Sequence, residues 1–202
     1  MIELPTDLPA DLAPLSWLLG VWEGTGVIDY ETPDHHYSGE FLHRVSFSHD
    51  GGSYLNYSAD AWVLDPDDPD ARTRLVSEIG YWRLSRSATD AEAGPGLLPP
   101  LSPLPTRTAD DVEALRNEAG GFEIEVTIVH SDGVSEVYLG QIRGPRIDIA
   151  TDAVVRTAGA KVYAAATRMY GLVDQHLLWA WDIAALGREL GSHASARLAK
   201  VE

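Results

Sequence analysis

From Gly20 onward the chain alternates between apolar and polar positions. Trp22, Gly24, Gly26, Ile28 and Tyr30 share one parity and Glu23, Thr25 and Asp29 the other, which predicts a half-buried strand opening at Gly20. The same period of two returns in Phe41, His43, Val45, Phe47 and His49, and Asp50-Gly51-Gly52 turns that run into a partner from Tyr54 to Val63. Further strands are predicted from Arg72 to Leu84 and, in Phe122, Ile124, Val126, Ile128 and His130, on either side of the tight turn Ser131-Asp132-Gly133 that leads into Val134 to Ile142. Ile147 and Ile149, then Lys161 to Tyr170, Gln175 to Ile183 and Ser192 to Val201, complete the set. Tyr81 and Trp82 point to opposite faces, whereas Trp179 and Trp181 share a parity with Leu177 and Ile183.

Helical periodicity is scarce. Pro14 to Leu19 is expected to form one or two turns plugging a barrel end, and Asp111 to Leu115 carries a weak helical pattern. Residues 1–13, rich in Pro and Asp, read as an arm, and 14–202 as a single domain. Within it, 88–111 holds five prolines, two glycines and no period, and is expected to be a disordered insertion. About ten strands joined by hairpin-length turns predict an all-β fold, a closed antiparallel barrel with a short N-terminal helix; a β-sandwich is the alternative. Two inward glycines in the first strand mark a bend, a close neighbour, or a ligand lying against the backbone, and the strand itself does not separate these.

Charge narrows the partners. Thirty-one acidic against 15 basic side chains leave a formal charge of −16, which repels phosphate backbones and anionic membrane surfaces, so neither nucleic acid nor membrane is expected. The chain has no cysteine, hence no disulfide and no thiolate ligand, and no apolar run of the ~20 residues a membrane span needs. A basic leader is absent from its first residues, and the expectation is a cytoplasmic protein. Seven histidines occur without His-Glu-x-x-His spacing, and His35-His36 falls in a polar loop. There is no Gly-x-Ser-x-Gly elbow, no Walker A and no dinucleotide fingerprint, and the carboxylates are scattered. Six tryptophans and eight tyrosines are mostly accounted for by core packing; a ligand-facing aromatic wall is the smaller reading.

Two ends of the chain together resemble a known family. Gly20-Val21-Trp22-Glu23-Gly24-Thr25-Gly26 matches the Gly-x-Trp-x-Gly-x-Gly signature of the nitrobindins, and Ser192 to Val201 is similar to their last strand; Ser77 to Leu84 resembles a strand between. The resemblance implies a ten-stranded barrel, shaped like the fatty-acid-binding proteins, holding one haem b per chain at its open end. It implies that His193 is the axial ligand of the iron and the catalytic centre, that Thr32 lies beside the haem although the dipeptide before it is Tyr30-Glu31, and that the ferric protein isomerises peroxynitrite to nitrate and binds nitric oxide. Monomer and homodimer are both left open. The alternative function, a carrier of a fatty acid or similar apolar molecule without haem, requires an Arg or a polar cluster inside the barrel to hold a carboxylate, and Arg83, Arg168 and Arg197 are the candidate arginines.

Overall fold

The computed structural model describes residues 8–32, 35–65, 71–103 and 107–201. Its ten strands are β1 (Gly20–Glu31), β2 (His36–Ser48), β3 (Leu55–Leu64), β4 (Arg72–Leu84), β5 (Phe122–His130), β6 (Val134–Arg143), β7 (Arg146–Arg156), β8 (Tyr163–Val173), β9 (His176–Ala185) and β10 (Gly191–Lys200). Each pairs antiparallel with its sequence neighbour, and β1 pairs with β10, so the sheet closes into the expected up-and-down barrel. The inward parity of β1 continues around the wall, where Phe47, Trp82, Val126, Tyr138, Tyr170, Leu177 and Leu198 are almost completely buried. Closure leaves no strand without a neighbour on both sides, although β7 pairs with β8 only over Arg146–Ala150.

The glycines of β1 make that closure possible. A Cβ on Gly24 would stand 2.3 Å from the Arg197 carbonyl oxygen of β10, and one on Gly26 would stand 2.3 Å from the Ser195 oxygen and 2.7 Å from the Phe41 ring. They are therefore there for a close neighbour, the last strand on one side and an inward phenyl ring on the other.

A 3-10 helix, Ala10–Leu18, closes one end with Leu12, Leu15, Trp17 and Leu18 buried, and the Trp22 indole donates to the Leu18 carbonyl at 2.7 Å. The helix begins four residues before the expected Pro14, so 10–13 belong to the plug and only the preceding residues remain for an arm; residues 1–7 lie outside the described residues. Burial of Leu12, and of Asp11 within 3.6 Å of Arg107 and 4.0 Å of Arg86, is what draws the segment in.

The proline-rich segment, expected to be disordered, is also tied down in its described part. Ala91 is buried, the Leu101 amide donates to the Asp90 carbonyl at 2.8 Å, and Pro95–Leu97 forms a 3-10 turn. At its end Thr108 and Asp111 form a capping box that starts α1 (Ala109–Glu113), which buries Val112 in contact with the plug helix.

Gly26→Ala is expected to destabilise the barrel by about 1–3 kcal/mol in urea, because neither a backbone oxygen nor a packed ring can yield cheaply. Gly159→Ala, where a Cβ meets open space, should stay within about 0.5 kcal/mol.

Candidate functional site

The β1–β10 ladder stops at Ile28 and Ala194, while β1 continues beside β2 as far as Glu31 and His36. Beyond that point the barrel opens. On the other side of β10 the register with β9 slips between Ser192 and Ala194, leaving His193 as the extra residue of a bulge, a device that re-aims a side chain. Tyr30 reaches across the opening and donates to the Ala185 carbonyl of β9 at 2.7 Å. The His193 ring is held edge-on between Tyr30 (4.9 Å between centroids) and Trp181 (5.4 Å). Its Nδ1 is buried with no hydrogen-bond partner, and burial pulls its pKa down to about 4, so the ring is a neutral imidazole.

Below this ring lies a cavity of about 260 Å³. Ile28, Phe41, Ala61, Val76, Trp179 and Ile183 give it apolar walls, and His43, Glu78, His130, Asp132, Tyr163 and His193 are among its polar lining. Trp179 and Trp181 thus face a hollow, and the aromatic wall is real. The lining contains no Arg or Lys among the described residues.

Under Trp181 the polar groups form a buried network. Arg168 donates to both oxygens of Glu78 at 2.8 Å and to the Tyr138 hydroxyl at 2.9 Å, and its guanidinium stacks 4.3 Å from the Trp181 centroid. Glu78 also accepts from Tyr57 at 2.7 Å; Glu136 accepts from Tyr138 and Tyr163 and pairs with His130 Nε2 at 2.6 Å. Burial raises the pKa of the Glu78 carboxyl, but the charge and hydrogen bonds of Arg168 outweigh it and hold the group below the usual range. His43 is separate: its Nδ1 lies 3.1 Å from the Asp60 carbonyl oxygen, and burial holds its pKa at about 4 despite opposing pulls from Glu78 and Asp60.

A family model described as a THAP4-like, heme-binding beta-barrel domain matches residues 11–200. The chain belongs to that family. Members with close sequences include proteins named peroxynitrite isomerase from Leifsonia xyli subsp. xyli, 66% identical over the full length of both chains, and from Clavibacter michiganensis subsp. michiganensis, 59% identical over the same span. The crystal structure of Rv2717c from M. tuberculosis is similar at a TM-score of 0.66 and 23% identity, covering 99% of this chain and 100% of that one, a likeness of fold.

In this member of the haem-binding barrel family, the residues singled out by sequence are spread along the barrel from the plugged end to the mouth. Gly20, Trp22, Gly24 and Gly26 lie along β1 and shape the wall, and His193 lines the cavity. Thr32 does not line it: the hydroxyl donates to the His35 carbonyl and accepts from its amide, both at 3.1 Å, closing the β1–β2 turn. His36 pairs with Asp29 at 3.1 Å, and Pro33 and Asp34 lie outside the described residues. Arg83 and Arg197 are exposed, bound to Glu125 and His176. Arg168 is inward but fully engaged. None of these three is therefore a free inward cation for a carboxylate. His43 and His130 went unnoticed as site residues, although each shares the inward parity of its strand.

Arg168→Met leaves Glu78 and Glu136 without their cation, and is expected to cost about 3–5 kcal/mol in urea denaturation. Adding Glu78→Gln should recover part of that loss; a single variant costing under about 1 kcal/mol would contradict the reading.

Proposed function

We propose that the chain binds one haem b at the barrel mouth through His193 and there isomerises peroxynitrite to nitrate. The observation that carries the proposal is a neutral, half-buried imidazole on a bulge at the opening, clamped by two rings and with a buried Nδ1 that has no hydrogen-bond partner among the described residues. The donor set supports a porphyrin over a bare ion. No group of three or more His, Asp or Glu side chains able to hold a metal occurs among the described residues, whereas an iron already carrying four ring nitrogens needs one protein ligand. The family's description and the names of its close members agree with this reading.

At about 260 Å³ the cavity is smaller than the ~300–1,000 Å³ that encloses a drug-sized ligand, and it is open at the mouth, so a flat macrocycle would be only partly enclosed. Haem would supply an electron-poor iron with a free coordination position, able to polarise the peroxo O–O bond. The chain's own part is positional. Tyr30 and Trp181 fix the plane of His193, burial keeps the ring unprotonated, and Phe41, Ile28 and Ile183 keep water from the inner side. Isomerisation conserves every atom and electron of the substrate, so no proton relay or reductant is required of the wall. Nitric oxide is a second small ligand for the same iron position, and Thr32 enters as a residue of the rim through the turn it closes. The reading takes the chain as a cytoplasmic protein with small-molecule partners.

Titration of the protein with ferric haem should give a Soret band at one equivalent and accelerated conversion of peroxynitrite to nitrate in stopped flow. His193→Ala should lose both while keeping its β-sheet circular dichroism; an unchanged band in that variant would sink the assignment. Because the His193 pKa lies near 4, proton competition should leave haem affinity nearly flat from pH 7 to pH 5. An ordinary imidazole of pKa ~6.5 would lose about 25-fold over that interval.

A further inference from the structure

His43 occupies the inner end of the cavity and has no part in the reading above. It pairs across the sheet with Gly24, four residues further into β1 than Ile28, the last position paired beside His193. At about 3.3 Å per residue that is roughly 13 Å deeper along the strand. A carbonyl oxygen only accepts, so the contact with Asp60 assigns the ring proton to Nδ1. Nε2, at the tip of an inward ring, is then a bare lone pair. It is buried without a partner, in a side chain only 2% exposed, and the ring is neutral. Leaving a buried acceptor unmatched costs about 1–3 kcal/mol, and such an atom calls for a water or a ligand.

The surroundings define what that ligand is. The Trp179 ring lies 4.7 Å from the His43 ring at an interplanar angle of 37°, the Phe41 ring lies 5.8 Å away, and Ala61 and Val76 complete the walls, so a flat apolar body is favoured. An anion would meet a lone pair with no cation in the lining, since Arg168 is committed to Glu78. An ammonium would have to give up its hydration beside a Glu78 whose charge is already matched. We propose that the inner end of the cavity is a second binding subsite, for a small uncharged aromatic molecule with one O–H donor, a phenol, held by His43 Nε2 and packed against Trp179 and Phe41.

The subsite does not depend on haem, so binding is measured by calorimetry on the full chain before haem loading, and a failed haem titration leaves the result standing. Phenol should bind about 3- to 10-fold more tightly than toluene, the range of one hydrogen bond, and more tightly than benzoate or benzylamine. In His43→Phe, phenol and toluene should fall within about two-fold of each other. In the wild-type chain carrying 15N-labelled histidine, phenol should shift the Nε2 resonance of His43 and toluene should not; this readout decides the matter if the variant does not fold. Equal affinity for phenol and toluene, a preference that survives His43→Phe, tighter binding of either charged probe, or an unmoved Nε2 resonance would each overturn the proposal.

Discussion

Arg168 carries a positive charge into the middle of a barrel otherwise filled with rings and aliphatic chains, and two carboxylates have to accompany it. Its fork is filled by Glu78 and Tyr138, and its flat face lies against Trp181. Because a charge at this depth is tolerated only when every partner is in place, the positions of β4, β6, β8 and β9 are coupled through one guanidinium. That coupling fixes Trp181, and Trp181 in turn is one of the two rings that fix His193. The candidate ligand at the mouth is thus steadied from below by electrostatics and from the side by packing.

The polar interior also divides labour along the barrel's depth. Near the middle Arg168, Glu78, Glu136, Tyr57, Tyr138 and Tyr163 find their partners in one another and in His130, which commits their charges and hydroxyls. Above and beside it stand two neutral imidazoles whose outer nitrogens have none. Burial keeps both free of protons near neutrality, so they meet the cavity as lone-pair donors rather than as cations. One stands at the opening, where a large flat group can reach it, and the other at the inner end, where only something small can.

Most of the architecture was legible because period-two alternation survives over most of the strand length; the bounds of β4 and β5 match the expected ones. The motif in β1 and the late histidine were legible as well, through their likeness to a family. What the alternation could not convey was which inward polar residues would be mutually satisfied. Glu78, Glu136 and Arg168 lie far apart in sequence and become partners only when β4, β6 and β8 curve toward one another. Nor does period two announce a bulge, and the slip at Ser192 and Ala194 is what sets His193 apart from its neighbours. The first turn of the plug helix and the contacts of the described proline-rich residues were hidden for a related reason. Their order comes from Leu12, Ala91 and Val112 finding buried places, which no local pattern displays.

The ladder between β1 and β10 joins the first strand to the last, and it is the strand pairing of greatest sequence separation among the described residues. Loop-closure entropy makes such pairings late and slow relative to the pairings of sequence-adjacent strands between them. During synthesis the strand bearing His193 also leaves the ribosome after the other nine strands. Any iron-binding capacity at the mouth would therefore arise only with the completed barrel, and a nascent or truncated chain would present the hollow without the grip.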